Sequence, residues 1–122
     1  MPLSFWCILA AGLLPYAATL IAKSRKGFDN SDPRAWLAHQ EGFRARANAA
    51  QLNSFEAFPF FAAAVLVAHA RAVPQHTIDL LAIAFVAARI LYLAVYLANL
   101  AALRSLVWFA GLFCVVLLFF AG

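Results

Sequence analysis

The chain has 122 residues, of which 66% are apolar and 11% are charged, with a formal net charge of +4 and a mean hydropathy of +0.87. An ordinary soluble domain is about half apolar and about a quarter charged, and a core of this size cannot hide so much apolar surface from water. The composition excludes a soluble domain and a disordered chain, and two cysteines are too few for a disulfide-stapled secreted scaffold. An integral membrane protein remains.

Four apolar runs separate the charged residues of the chain. A helix needs about 20 mostly apolar residues to cross the hydrocarbon core of a bilayer, and each run is close to that length or above it. The runs predict an all-α integral membrane protein with one domain over residues 1–122 and helices at about 3–22, 34–70, 76–99 and 104–121. Because the connections are short, we expect antiparallel neighbours packed as a left-handed four-helix bundle.

The basic residues predict how these helices are oriented. The first apolar run is followed by its basic cluster, which is the order of a membrane anchor and not of a cleaved signal peptide. Arg71 alone falls on one side of the membrane, and the other side receives Lys23, Arg25, Lys26, Arg34, Arg44, Arg46 and Arg104. Since basic loops stay in the cytoplasm, we expect both termini to lie outside it. This topology accounts for the positive charge, so no nucleic-acid partner is predicted.

The second predicted helix follows a segment of turn-forming residues. Ser31 or Asp32 before Pro33 is typical of an N-cap followed by a first helical position. A helix over 34–70 is longer than the hydrocarbon core is thick, so we expect its first third to protrude into the cytoplasm.

Arg46, Asn53 and Glu56 place polar side chains on one face of the second predicted helix. Spacings of seven and three residues return to nearly the same angle on an α-helix. An ionisable residue inside a membrane span is costly unless it is paired or faces a wet cavity, which makes each one a candidate functional residue.

A second polar face lies on the third predicted helix. Arg89, Tyr92, Tyr96 and Asn99 follow one another at spacings of three, four and three residues, and Arg104 opens the fourth helix. The second and fourth helices start on the cytoplasmic side and the third ends there, so all these groups fall in one half of the membrane. We therefore expect a polar pocket open to the cytoplasm, where arginines suit carboxylates and a glutamate suits an ammonium group.

A purely structural interpretation of these residues stays open. Glu56 could pair with Arg46 or Arg89 and fasten the helices together, and Tyr92 and Tyr96 could be bundle tyrosines with satisfied hydroxyls. The three histidines lack the spacing of metal ligands, so no metal site is predicted. No Ser/His/Asp set or Gly-rich nucleotide motif is evident in the sequence.

Two segments carry a family resemblance. From Arg44 the chain reads RARANAAQLNSFEAFPFF, which follows the pattern R-A-x-x-A-x-x-N-x-x-E-x-x-P-x-F at Arg46, Ala47, Ala50, Asn53, Glu56, Pro59 and Phe61. The second segment, FVAARILYLAVYLANLAALR, covers residues 85–104. Both resemble bacterial-type members of the MAPEG family, the membrane-associated proteins of eicosanoid and glutathione metabolism. Chain length and the number of spans agree as well, so the resemblance covers the whole chain.

The resemblance implies a homotrimer of four-helix protomers that binds glutathione between neighbouring protomers near the cytoplasmic face of a bacterial inner membrane. Carried over by position, Glu56 would lie near the amino group of glutathione. Arg104 is similar to the family arginine that stabilises the glutathione thiolate and is the expected catalytic residue. The substrate-binding residues implied by the two segments are Arg46, Asn53, Glu56, Arg89, Tyr92 and Tyr96.

The implied function is that of a membrane-bound glutathione transferase. Glutathione would be the co-substrate, a lipophilic electrophile would arrive from the surrounding membrane lipid, and peroxidase activity is a second implied reaction. Ala49 and Ala57 replace an arginine and an aromatic residue of the leukotriene-synthase-like members, so an eicosanoid substrate is not predicted. Two alternatives stay open. One is a non-enzymatic protein that binds a lipid or small molecule in the same pocket; the other is a small transporter, which the clustering of polar groups in one leaflet disfavours.

Overall fold

The computed structural model describes residues 1–24 and 31–122. Within these residues the regular structure is entirely helical, with α1 Leu3–Ala22, α2 Pro33–Ala38, α3 Gly42–Ala70, α4 Gln75–Leu97 and α5 Ala101–Phe120. All but α2 are long and apolar enough to cross a membrane. The predicted all-α class and the four predicted membrane-length helices are therefore confirmed.

The four long helices pack side by side, and α3 and α4 each contact all three of the others. α1 lies mainly against α3, and α5 lies mainly against α4. Small side chains let helices in a membrane approach closely, and the buried alanines are Ala11, Ala18, Ala22, Ala47, Ala50, Ala64, Ala68 and Ala82. Large side chains fill one central place, where the fully buried Phe61 stacks on Phe85 with ring centroids 4.0 Å apart.

Contacts between helix ends show which parts of the chain lie together. The backbone N–H of Ser4 donates to Asp79 Oδ1 at 3.0 Å, which joins the start of α1 to the start of α4. The guanidinium of Arg71 donates to the carbonyl oxygen of Phe119, close to the end of α5. Both termini therefore share one end of the bundle with the 71–74 turn, and α2 packs at the other end.

The structure corrects the prediction of one continuous helix over 34–70, because α2 and α3 are separate. Gly42, the first residue of α3, has a φ of +64°, so a right-handed helix cannot run through it from α2. Just before it, His39 Nδ1 donates to the Ala35 carbonyl oxygen at 2.7 Å, satisfying an orphan carbonyl at the end of α2. The predicted start is confirmed, since the Asp32 carboxylate accepts the Ala35 N–H at 3.4 Å.

Left-handed residues end α3 and α4. Ala72 has a φ of 59° and Asn99 a φ of 61°, and in each turn the next N–H donates back to a carbonyl of the last helical turn, as in a Schellman motif. The predicted third helix, 76–99, therefore ends at Leu97. Asn99 lies in the turn after α4. The prediction that Asn99 continues the polar helical face of Arg89, Tyr92 and Tyr96 is therefore wrong.

Ala72→Gly is expected to stabilise the protein. A residue with a Cβ pays about 1–2 kcal/mol in the left-handed region, whereas glycine enters it freely. Glycine is also more flexible in the unfolded chain, so we expect a net gain of about 0.5–1 kcal/mol in the free energy of unfolding. Unfolding in detergent measures the gain, with Asn99→Gly as the matched control, since Asn already tolerates this conformation. A lower stability of Ala72→Gly would contradict the argument.

Candidate functional site

A buried arginine joins α3 to α4. Arg89 is only 4% exposed, and its Nη2 donates to Asn53 Oδ1 at 2.7 Å and to Ser54 Oγ at 3.3 Å. A cation in a membrane span needs such polar partners, because lipid offers none. The predicted polar faces of the two helices therefore meet, with Asn53 and Arg89 in direct contact.

The guanidinium of Arg89 begins a row of stacked groups that runs toward the end of α4. The Cζ of Arg89 lies 4.2 Å from the ring centroid of Tyr92. The rings of Tyr92 and Tyr96 meet edge to face at 5.5 Å. The Cζ of Arg104 lies 4.6 Å from the ring of Tyr96, so two cations enclose two tyrosines. Attraction between a cation and the face of an aromatic ring fixes the orientation of both arginines.

Two adjoining cavities lie between α3, α4 and α5. The first has a volume of about 170 Å³ and is lined by Asn53, Glu56, Ala57, Phe60, Phe85, Arg89, Trp108, Leu112 and Val115. The second has a volume of about 290 Å³ and is lined by Asn53, Tyr92, Arg104, Ser105, Trp108 and Phe109. Asn53 and Trp108 line both cavities, so the cavity that Glu56 lines adjoins the one that Arg104 lines.

Glu56 does not have the buried, paired environment that a structural ion pair with Arg46 or Arg89 would give it. It is exposed on the surface of the single chain and lines the first cavity. Within residues 1–24 and 31–122, Glu56 forms no ion pair with Arg46 or Arg89, whose guanidinium groups donate to neutral oxygens instead. The carboxylate is therefore available to a ligand.

Arg46 stands apart from the other predicted site residues. Its Nε and Nη2 donate to the carbonyl oxygen of Leu97 at 3.2 and 3.0 Å, which satisfies a free carbonyl at the end of α4. Neither of the two cavities is lined by Arg46 or by Tyr96. Tyr96 still supports the site, because its ring packs between Tyr92 and Arg104.

Three site residues were not identified from the sequence. Ser54 accepts a hydrogen bond from Arg89, Trp108 lines both cavities, and Ser105 lines the second. Trp108 follows Arg104 by four residues and so lies one helical turn further along the same face of α5. That spacing is the signal that could have identified it.

A second polar cluster, also unexpected from the sequence, lies at the opposite end of the bundle. The hydroxyl of Ser4 lies 2.8 Å from His69 Nε2, and Gln75 donates to Asp79 Oδ1 at 2.6 Å. Ser4, His69 and Asp79 are therefore in contact, although no Ser/His/Asp set was evident in the sequence. They do not form a hydrolytic triad, because Ser4 is fully buried and Asp79 accepts the backbone N–H of Ser4. The cluster fastens α1 to α3 and α4.

The arrangement can hold an anion next to a cation. Arg104 is half-buried at the rim of the second cavity, where a guanidinium favours the ionised form of a bound acid or thiol. Glu56 lines the first cavity and offers a carboxylate to an ammonium group. Among the described residues, no group of three or more His, Cys, Asp or Glu side chains could hold a metal ion.

The fold and the site define a helical membrane protein with a polar pocket between its helices. The sequence model of the MAPEG family matches residues 3–122, essentially the whole chain. The chain belongs to the MAPEG family, which is a membrane family that includes glutathione transferases and related proteins. No curated protein and no solved structure matches the chain. This match confirms the family that the two segments predicted.

Proposed function

We propose that this protein is a membrane-bound glutathione transferase that adds the thiolate of glutathione to a lipophilic electrophile. The observation that carries the proposal is the placement of Asn53, Glu56 and Arg104 around two adjoining cavities with a common wall. Glutathione has an amino group, two carboxylates and a thiol; Glu56 is the proposed partner of the amino group, and Arg104 is the proposed partner of the thiolate. Membership of the MAPEG family supports the same activity.

Arg104 is the proposed catalytic residue. The thiol of glutathione loses its proton to solvent, and the guanidinium of Arg104 stabilises the thiolate that remains. The sulfur then forms a bond to an electrophilic carbon, and the leaving group departs with the bonding electrons. Tyr96 keeps Arg104 in place, because its ring packs against the guanidinium at 4.6 Å. As a second reaction we propose peroxidase activity: the thiolate attacks the terminal oxygen of a lipid hydroperoxide and breaks the O–O bond, and the departing alkoxide takes a proton from solvent. A second glutathione then converts the sulfenic acid that remains into glutathione disulfide and water.

The other residues of the pocket would bind the ends of glutathione. Glu56 is proposed to accept hydrogen bonds from its ammonium group, and Asn53 to bind its backbone. Arg89 already donates to Asn53 and Ser54, so we assign it the role of orienting Asn53. Arg46 is assigned to the end of α4, where it holds Leu97, and this contact fixes the height of α4 beside the pocket.

The exposure of Glu56 supports a homotrimer with the site between protomers. A carboxylate on the lipid-facing side of a span is costly, and a neighbouring protomer would cover it. Large apolar side chains surround it on α3, with Leu52 53% and Phe55 41% exposed. We propose that these residues contact a second protomer and that the packed helices form a left-handed bundle.

The proposed location is a bacterial inner membrane, with both termini outside the cytoplasm. The end of the bundle that holds Arg46 and Arg104 carries most of the basic residues, which favours the cytoplasmic side. Glutathione would enter from the cytoplasm, and the electrophile would diffuse in from lipid along the apolar side of α5.

A glutathione titration on detergent-purified protein tests the proposal. We expect saturable binding, ultraviolet absorbance of a bound thiolate, and conjugation of glutathione to an aryl halide. The absence of saturable binding up to millimolar glutathione would overturn the proposed activity. That result would favour the non-enzymatic alternative, in which a lipid or another small molecule occupies the pocket.

Glu56→Gln is expected to weaken glutathione binding about tenfold, since one charge-assisted hydrogen bond is worth about 1.5–3 kcal/mol. The substitution keeps the size of the side chain and removes its charge. Glu41→Gln, at the exposed start of α3, is the matched control and should bind as the wild type does. Unchanged affinity of Glu56→Gln would assign Glu56 to protomer packing instead.

A further inference from the structure

Arg44 lies in the first turn of α3 and is half-buried. Its Cζ lies 4.4 Å from the centroid of the Phe43 ring. Its Nε is buried and, within residues 1–24 and 31–122, has no hydrogen-bond partner. A shielded N–H of a cation that lacks an acceptor is costly, so this group favours an anionic partner.

The contacts of the next arginine on α3 show where Arg44 lies relative to the bilayer. Arg46 donates to the carbonyl oxygen of Leu97, so the start of α3 is level with the end of α4. α4 has 23 residues, and at about 1.5 Å per residue it spans roughly the thickness of a hydrocarbon core. Arg44 therefore lies at a membrane surface. The neighbouring ring of Phe43 is 42% exposed at the same level.

The chemistry around Arg44 favours an anion that carries its own hydrogen-bond donors. The segment 23–46 contains six basic and three acidic residues, so its net charge attracts anionic lipid headgroups. Gln40, in the same junction between α2 and α3, has a buried Oε1 without a donor in the described part of the chain. The Nε2 of Gln40 donates a hydrogen bond to the carbonyl oxygen of Trp36 at 3.0 Å. The segment from Gln40 to Arg44 thus contains one buried donor, Arg44 Nε, and one buried acceptor, Gln40 Oε1, without a partner in the described residues.

We propose that the junction between α2 and α3 is a binding site for the headgroup of an anionic phospholipid of the phosphatidylglycerol type. The phosphate accepts hydrogen bonds from Arg44, whose guanidinium is held on the Phe43 ring, and a headgroup hydroxyl donates to Gln40 Oε1. This site is separate from the glutathione pocket, because neither cavity is lined by Arg44 or Gln40. It would hold one lipid at the membrane surface beside α2.

Lipid titration of delipidated protein in neutral detergent tests the site. Native mass spectrometry counts the lipids retained, and the midpoint of thermal unfolding reports their binding. We expect phosphatidylglycerol to be retained and to raise the midpoint, and phosphatidylcholine to do neither. Arg44→Gln should bind phosphatidylglycerol about five- to tenfold more weakly, as expected when one basic contact is lost. Phe43→Leu should weaken it less, and it provides a second measurement if Arg44→Gln does not fold.

Arg71→Gln is the matched control, because Arg71 is an exposed arginine at the opposite end of the bundle. It should bind phosphatidylglycerol as the wild type does. If Arg71→Gln and Arg44→Gln lost the same affinity for phosphatidylglycerol, binding would reflect general attraction between basic residues and anionic lipid. That result would overturn the proposed site. Wild-type affinity in both Arg44→Gln and Phe43→Leu would do the same. Inorganic phosphate should not raise the midpoint; a rise equal to that with lipid would show a site for free anions and contradict the proposal.

Discussion

Arg104→Ala is expected to lower kcat/KM for glutathione conjugation by about 10²- to 10³-fold, the usual loss when one group that stabilises a developing anion is removed. Arg104 lines the second cavity, and its guanidinium stacks on the ring of Tyr96. The bound thiol should therefore stay protonated in the variant. Its ultraviolet thiolate absorbance should disappear, while the oligomeric state should be that of the wild type.

Arg104→Lys separates charge from shape in this experiment. Lysine keeps a cation near the thiol but stacks less well on Tyr96, so we expect part of the thiolate signal to return. Arg34→Ala, which removes an exposed arginine from α2, should leave both signal and rate unchanged. A full thiolate signal in Arg104→Ala would move the catalytic role to Arg89, the other guanidinium beside the cavities.

Phe61→Ala is expected to cost about 3 kcal/mol of the free energy of unfolding, at the lower end of the range for buried phenylalanines. Phe61 is fully buried and stacks on Phe85 at 4.0 Å with an interplanar angle of 11°. Its loss leaves a cavity between α3 and α4. The lower end applies because packing, and not water, drives helix association in a membrane. Reversible unfolding in mixed detergent micelles measures the change.

Phe113→Ala is the matched control for this substitution. The same atoms are removed, but Phe113 is 63% exposed and faces outward from α5, so the monomer should lose less than about 1 kcal/mol. Similar losses at both positions would show that Phe113 is also covered, by a neighbouring protomer. A small loss at Phe61 alone would mean that the bundle closes around the missing ring, contrary to our expectation.

The sequence predicted the membrane-length helices well because their signal is local. An apolar run of sufficient length has few other structures available in lipid. The break between α2 and α3 was missed because a helix was extended through Gly42, whose positive φ prevents one continuous helix from including both. The end of α4 was placed two residues late for a similar reason, since Asn99 was assigned to the helix although it lies in the left-handed turn.

The sequence predicted those parts of the site that depend on helical spacing. It did not predict the parts that depend on contacts between residues far apart in the chain. Helical spacing was enough to place Asn53, Arg89 and Tyr92 on facing sides of their helices. It could not show that Arg46 reaches the end of α4, because the distance between those ends depends on how the helices are staggered. The meeting of Ser4 with His69 joins residues 65 positions apart, and no pattern along the chain reveals it.

The three-residue turn between α4 and α5 controls the direction of Arg104. Arg104 lies in the first turn of α5, and its backbone N–H donates to the carbonyl oxygen of Leu100 inside that connection. A residue inserted into or deleted from the first turn of α5, ahead of Arg104, would rotate the Arg104 side chain by about 100° about the helix axis. Even one such change would carry the guanidinium away from Tyr96. Insertions and deletions at this place should therefore separate the two groups even where the helices still form.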